Sequence, residues 1–120
     1  MPLTLTIDRQ LWHTHHRALL DDAPGLVPVA KGNGYGFGLR LLAAEATRLR
    51  VKTLAVGIAQ EVAAVRAGGF AGDVVVLNPW RPFDDAATSL LDDPLVVTTV
   101  SRAEDLRALA TTHPGARVIV

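Results

Sequence analysis

Apolar and polar residues alternate over Leu3 to Ile7, the two-residue period of a half-buried strand, and the period then lengthens. Asp8 stands where a helix N-cap belongs, ahead of a helix over Arg9 to Leu20 that Asp21-Asp22-Ala23-Pro24-Gly25 stops. Leu26 to Ala30 is a short apolar run broken by Pro28, a strand that must tolerate one missing N–H. Lys31 stands at its end. Beyond a glycine-rich stretch, Leu39, Leu42, Ala43, Ala46 and Leu49 recur at helical spacing, leaving Arg40, Glu45 and Arg48 for the polar side. The alternation then repeats. Thr53 to Gly57 reads as a strand, Gln60 to Ala67 as a helix stopped by Gly68-Gly69, and Val74 to Leu77 as a buried strand ended by Asn78-Pro79. Asp84 to Leu91 predicts a short helix, and Leu95 to Thr99 a β-branched strand. Ser101 with Glu104 has the spacing of a capping box opening a helix through about Ala110, and Arg117 to Val120 begins a further strand.

Strands alternating with helices of this length predict an α/β fold of right-handed βαβ units on a parallel sheet. Five candidate barrel strands follow the first helix, whereas a closed (β/α)8 barrel of TIM type needs eight strands and about 250 residues. Periodicity alone leaves two architectures open: a partial barrel, or an open flavodoxin-like sheet complete at this length. The final strand, Val118-Ile119-Val120, is apolar with nothing after it, which points either to the centre of a sheet or to a truncated one.

Composition narrows the partners. The chain has 120 residues, 49% of them hydrophobic, enough for a real core. Lys plus Arg and Asp plus Glu both number 12, so no basic excess is available for a row of phosphates, and nucleic acid is not an expected partner. There is no cysteine, which removes thiolate chemistry and Cys-ligated zinc. The start MPLTLTIDRQ lacks a basic and an apolar leader region, and no run of about 18 apolar residues occurs, so no membrane contact and a cytoplasmic location are expected.

Candidate chemistry concentrates in Lys31-Gly32-Asn33-Gly34-Tyr35-Gly36-Phe37-Gly38, with glycine at every second position between a strand and a helix. Such a loop allows positive φ and close backbone approach, and the helix N-terminus after it suits an anion such as phosphate. Neither the dinucleotide fingerprint nor the P-loop fits, because the third glycine position holds Phe37 or Leu39 and no Gly-Lys-Ser/Thr closes the loop. The lysine precedes the glycines, at a strand's C-terminal end, where parallel α/β folds collect catalytic groups. A neutral lysine amine can form an imine with an aldehyde cofactor, and Tyr35 offers a hydroxyl to the same ligand. On spacing alone, an exposed lysine beside a flexible turn explains the pattern equally well.

The stretch Val27 to Gly38 resembles the alanine racemase signature, an apolar strand followed by Lys-Ala-Asn-Ala-Tyr-Gly-His-Gly, with the lysine, asparagine, tyrosine and two glycines in register. Leu54-Ala55-Val56, Gln60 to Gly68 in place of the family's E-A-x-x-L-R-x-x-G helix, and Val75-Val76-Leu77 extend the resemblance over nearly the whole chain. It implies the N-terminal part of a barrel over residues 1–120, without the later barrel strands and the C-terminal β-domain. It also implies pyridoxal 5'-phosphate as cofactor, held by Lys31, with Tyr35 on its phosphate and Leu77 packed near it. The implied reaction is racemisation of a small amino acid of the alanine type, in an enzyme that is a homodimer at full length. The family's later barrel arginine and the partner subunit's tyrosine, its opposite-face base, are not expected in this chain, which alone is expected to be inactive. Gly32 and Gly34 replace alanines and Phe37 replaces the usual histidine. Another enzyme on the same barrel, a D-amino-acid aldolase or dehydratase or a decarboxylase, is the alternative, as is a non-catalytic cofactor-binding fragment.

Other polar features have plainer readings. His13 and His16 share a helix face with His15 between them, but no further ligand completes a metal site, so surface histidines are expected. Trp12 and Trp80 read as packing residues, although Trp80 after Asn78-Pro79 could instead rim the pocket. Asp84-Asp85 and Asp92-Asp93 read as solvated helix ends.

Overall fold

Asp8 begins the first helix by accepting a hydrogen bond from the Leu11 N–H at 3.0 Å, satisfying one of the donors that every helix start leaves free. The computed structural model describes residues 1–120, and in chain order the elements are α1 (Arg9–Asp22), α2 (Leu39–Arg48), β1 (Thr53–Val56), α3 (Glu61–Ala67), β2 (Asp73–Val76), α4 (Asp85–Thr88), β3 (Val96–Thr99), α5 (Ala103–Thr112) and β4 (Arg117–Ile119). All four strands are parallel, and the sheet order is β1-β2-β3-β4. That sequential order decides between the two architectures. A doubly wound sheet reverses direction at a switch point, whereas a barrel adds each strand beside the last. The chain is a partial TIM-type barrel.

The pleat divides the strands between two faces. Leu54, Val56, Val74, Val76 and Val96 point to the helix side and meet Ala43 and Ala46 of α2, Val62 and Val65 of α3, and Phe70. A second buried group, Ala59, Trp80, Ala87, Leu91, Val100 and Leu109, closes the layer under α4 and α5. On the opposite face, Ala55, Val75, Val97 and Arg117 share one rung. There Arg117 reaches across β3 to make a bidentate pair with Asp73, at 2.8 and 2.9 Å.

Three expected elements differ. Leu3 to Ile7 forms no strand: Leu3 is fully exposed, and this chain gives the alternating segment no neighbour to pair with. Leu26 to Ala30 contracts to a single parallel bridge, Val29 to Ala55. The Ala55 N–H donates to the Pro28 carbonyl and the Ala30 N–H to the Ala55 carbonyl, and the rung below would need the N–H that Pro28 lacks. The Ser101–Glu104 capping box does not form either. The helix starts one residue later with Arg102 at its N-cap, and the Ser101 hydroxyl instead accepts from the Arg81 guanidinium. Arg102 pairs with Asp105 at 2.7 and 2.8 Å, which occupies the side chain that would face the backbone in a box.

Candidate functional site

Lys31 follows the Val29 bridge, and Leu77 and Asn78 follow β2, so all three leave the sheet at the C-terminal ends of its strands. The β2 ladder runs on past its last strand residue. The Leu77 N–H donates to the Val56 carbonyl at 2.9 Å and the Asn78 N–H to the Gly57 carbonyl at 2.8 Å, which fixes Leu77 beside the end of β1. Lys31, Tyr35 and Leu77, far apart in the chain, line one open cleft of about 660 Å³ together with Asn33, Glu61 and Asn78. Lys31 and Tyr35 are both exposed to it.

The loop that delivers them is wound tightly. The Lys31 carbonyl accepts from the Gly34 N–H at 3.0 Å, the Asn33 side chain accepts from the Gly36 N–H at 3.1 Å, and the Gly38 N–H returns to the Asn33 carbonyl at 2.9 Å. Tyr35 has φ of 55°, in the left-handed region that costs a non-glycine residue free energy. Gly34 is required outright: at φ +66°, a Cβ there would stand 2.5 Å from the Gly38 carbonyl carbon. The alanine that the resemblance places at this position does not fit this turn.

Phe37 leaves the cleft. Its ring stacks on Trp12 of α1 with centroids 5.4 Å apart and planes 23° from parallel, tying the loop to the first helix. The aromatic ring thus joins an apolar seam where a histidine would have offered polar atoms. Trp80 also stays out of the cleft: it is buried in the second core group and its indole N–H donates to Thr88.

Glu61 is the member of the site that spacing did not single out. Its carboxylate accepts from the Gly57 N–H at 3.1 Å and from the Gly32 N–H at 3.2 Å, joining the end of β1 to the residue after Lys31. The available signal was a carboxylate opening the helix that follows a strand-end glycine, a pattern equally explained by the helix dipole.

The expected surface histidines have a partner. Glu45 on α2 is buried, and His13 Nδ1 lies 2.7 Å from one of its oxygens and His16 Nδ1 3.2 Å from the other. The His13 contact is close but lacks hydrogen-bond alignment. Arg48 completes the group at 2.9 and 3.0 Å. Burial pushes the Glu45 carboxyl upward, but the Arg48 guanidinium and the His13 and His16 rings against it together outweigh burial and hold the group down at about 2. This cluster fastens α1 to α2 and lies outside the lysine cleft. No helix is long and apolar enough to cross a membrane.

A family model described as alanine racemase, N-terminal domain, matches residues 9–120. Among solved structures, the crystal structure of alanine racemase from Oenococcus oeni is similar in fold, with a TM-score of 0.65 at 23% identity over 89% of this chain. The chain spans 30% of the length of that protein. No curated protein matches the sequence.

Proposed function

The chain belongs to the alanine racemase N-terminal domain family, and from that premise we propose that it forms the cofactor-holding part of a pyridoxal-phosphate-dependent racemase of a small amino acid of the alanine type. The observation that carries this reading is the convergence of Lys31, Tyr35 and Leu77 on one cleft at the C-terminal ends of parallel strands. An amine, a phenol hydroxyl, an apolar flank and about 660 Å³ of space suit a phosphorylated pyridine aldehyde. When bound, pyridoxal phosphate supplies the electron sink for bond breaking at the substrate's α-carbon. Lys31 would hold the aldehyde through Nζ and would carry the α-proton on one face of the substrate. Tyr35 would donate its hydroxyl hydrogen to the phosphate. Leu77 would offer the ring an apolar flank.

Inversion needs a second base on the opposite face, and the cleft lining offers one amine. In this reading residues 1–120 are the N-terminal part of a longer barrel enzyme, and turnover belongs to a homodimer of the longer chain. The same observation favours a second reading, cofactor binding without turnover. Incubation with D-alanine and L-alanine in deuterated water separates the two: exchange of the α-hydrogen with inversion supports racemisation, and binding without exchange supports the second.

The site itself is tested by adding pyridoxal phosphate, reducing with borohydride and mapping the labelled peptides. Lys31 should carry the label and Lys31→Ala should lose it. Lys52, the other lysine, precedes β1 at the opposite end of the strands and serves as internal control. Equal labelling of Lys31 and Lys52, or undiminished labelling in Lys31→Ala, would reject the assignment.

A further inference from the structure

The lysine cleft opens where one rung of the parallel ladder is missing. After the Val29–Ala55 bridge, parallel geometry would next send the Gly57 N–H to the Ala30 carbonyl and the Gly32 N–H to the Gly57 carbonyl. Neither bond forms. Both donors go to Glu61 instead, Gly57 to Oε2 at 3.1 Å and Gly32 to Oε1 at 3.2 Å, while the Gly57 carbonyl accepts from the Asn78 N–H at 2.8 Å. One carboxylate thus stands in for a whole rung, and a rung through an inserted side chain is longer than a direct one. The strand ends are therefore held together but apart.

The surroundings favour this insertion. Glu61 is the first residue of α3, where a helix start stabilises negative charge, and hydrogen bonds to an ionised acceptor are about twice as strong as neutral ones. Gly57 leaves room for it, since a Cβ there would stand 3.3 Å from both Lys31 Cβ and Glu61 Oε1. The residue bridged on the far side is the one directly after Lys31. With the Lys31 carbonyl accepting from the Gly34 N–H, both polar groups of the Lys31–Gly32 peptide are held, while on the other side of the lysine the Ala30 N–H donates to the Ala55 carbonyl at 2.8 Å.

We propose that Glu61 is a positioning residue for Lys31: its carboxylate replaces the next rung of the ladder, fixes the Lys31-Gly32 backbone to Gly57, and keeps the cleft open for an aldehyde cofactor at the lysine. The proposal rests on the reading of Lys31 as attachment residue and adds a role that the cofactor need not be present to reveal.

The full chain is labelled with pyridoxal phosphate and borohydride, and the ratio of label on Lys31 to label on Lys52 is measured for the wild type, Glu61→Gln and Glu61→Ala. Misplacing a reacting group by about 1 Å is a large kinetic penalty, so Glu61→Ala should lower the ratio about tenfold. Glu61→Gln, which keeps one neutral acceptor, should restore about a third of the difference on a logarithmic scale. Gly57→Ala, which crowds the carboxylate without removing it, should lower the ratio as well. Melting temperatures within about 2 °C of wild type separate positioning from general unfolding. A second readout needs no cofactor and no variant: the Gly32 and Gly57 amide hydrogens should exchange slowly with solvent in the wild type. Fast exchange at both, or an unchanged labelling ratio in folded Glu61 variants, overturns the proposal. A wild type without preference for Lys31 overturns the lysine assignment and this role together, whereas a preference indifferent to Glu61 overturns this role alone.

Discussion

Gly34 shows how much a single position in the lysine loop constrains. Its φ of +66° and the 2.5 Å separation that a Cβ would have from Gly38 mean that alanine must change the turn, not merely strain it. Gly34→Ala is expected to lower stability by about 2 kcal/mol, read as a shift in the urea midpoint with unchanged slope. A loss below about 0.5 kcal/mol would show that the loop has an alternative turn of similar free energy. The sequence displayed the glycine spacing plainly, and it suggested a ligand loop. It could not show which glycine was indispensable, because that depends on Gly38 folding back over Gly34. Phe37 teaches the same lesson: as a letter it marks a lost histidine, and only its stack on Trp12 explains where the ring goes.

At the scale of elements, α1 is the least embedded helix, with no buried residue. It is held by the Trp12–Phe37 stack, by Arg17 donating to the Leu49 carbonyl at 3.2 Å, and by His13 and His16 on buried Glu45. The Glu45 carboxyl is lowered from 4.5 to about 2 in the folded chain, so its contribution is fully present above pH 4.5 and is lost as pH falls toward 2. Screening at the half-exposed Arg48 partner reduces that contribution to about 2 kcal/mol. In a Trp80→Phe background, Trp12 fluorescence should therefore change between pH 4.5 and 2 as α1 loosens. Glu45→Gln should show the loosened signal already at about pH 6. An acid transition identical in the two proteins would place the fastening of α1 elsewhere. Helix periodicity found α1 and α2 separately, and their pairing through a buried carboxylate is a tertiary fact that no spacing within either helix encodes.

The whole molecule is elongated, 55 × 36 × 22 Å in extent. Its radius of gyration is 16.2 Å, against about 13.6 Å for a compact domain of this length. The outer edge of β4 is bare, with Ile119 half exposed and Val118 beside it. An apolar strand edge with unpaired N–H and C=O groups is a template for other chains. The chain by itself is therefore expected to self-associate with rising concentration in analytical ultracentrifugation, and Ile119→Lys, which places charge on that edge, should shift it toward monomer. Identical sedimentation of the two proteins would show that the edge is not the contact.

The sequence by itself determined the alternation of strands and helices, the strand-end lysine with its glycine loop, and the family resemblance that the match over residues 9–120 bears out. These are local properties: periodicity, turn chemistry and motif spacing act within a few residues, so they survive in the linear text. Periodicity left the strand order open and only the resemblance implied a barrel; tertiary structure decided the sequential order, because strand order is a relation between segments some twenty residues apart. It also decided that Leu3 to Ile7 has no partner and that Pro28 leaves its strand one bridge long, since a strand exists only through its neighbour's hydrogen bonds. The insertion of Glu61 between Gly32 and Gly57 belongs to the same class. A carboxylate can replace a rung only where two strand ends already lie side by side, and that adjacency is made by the fold.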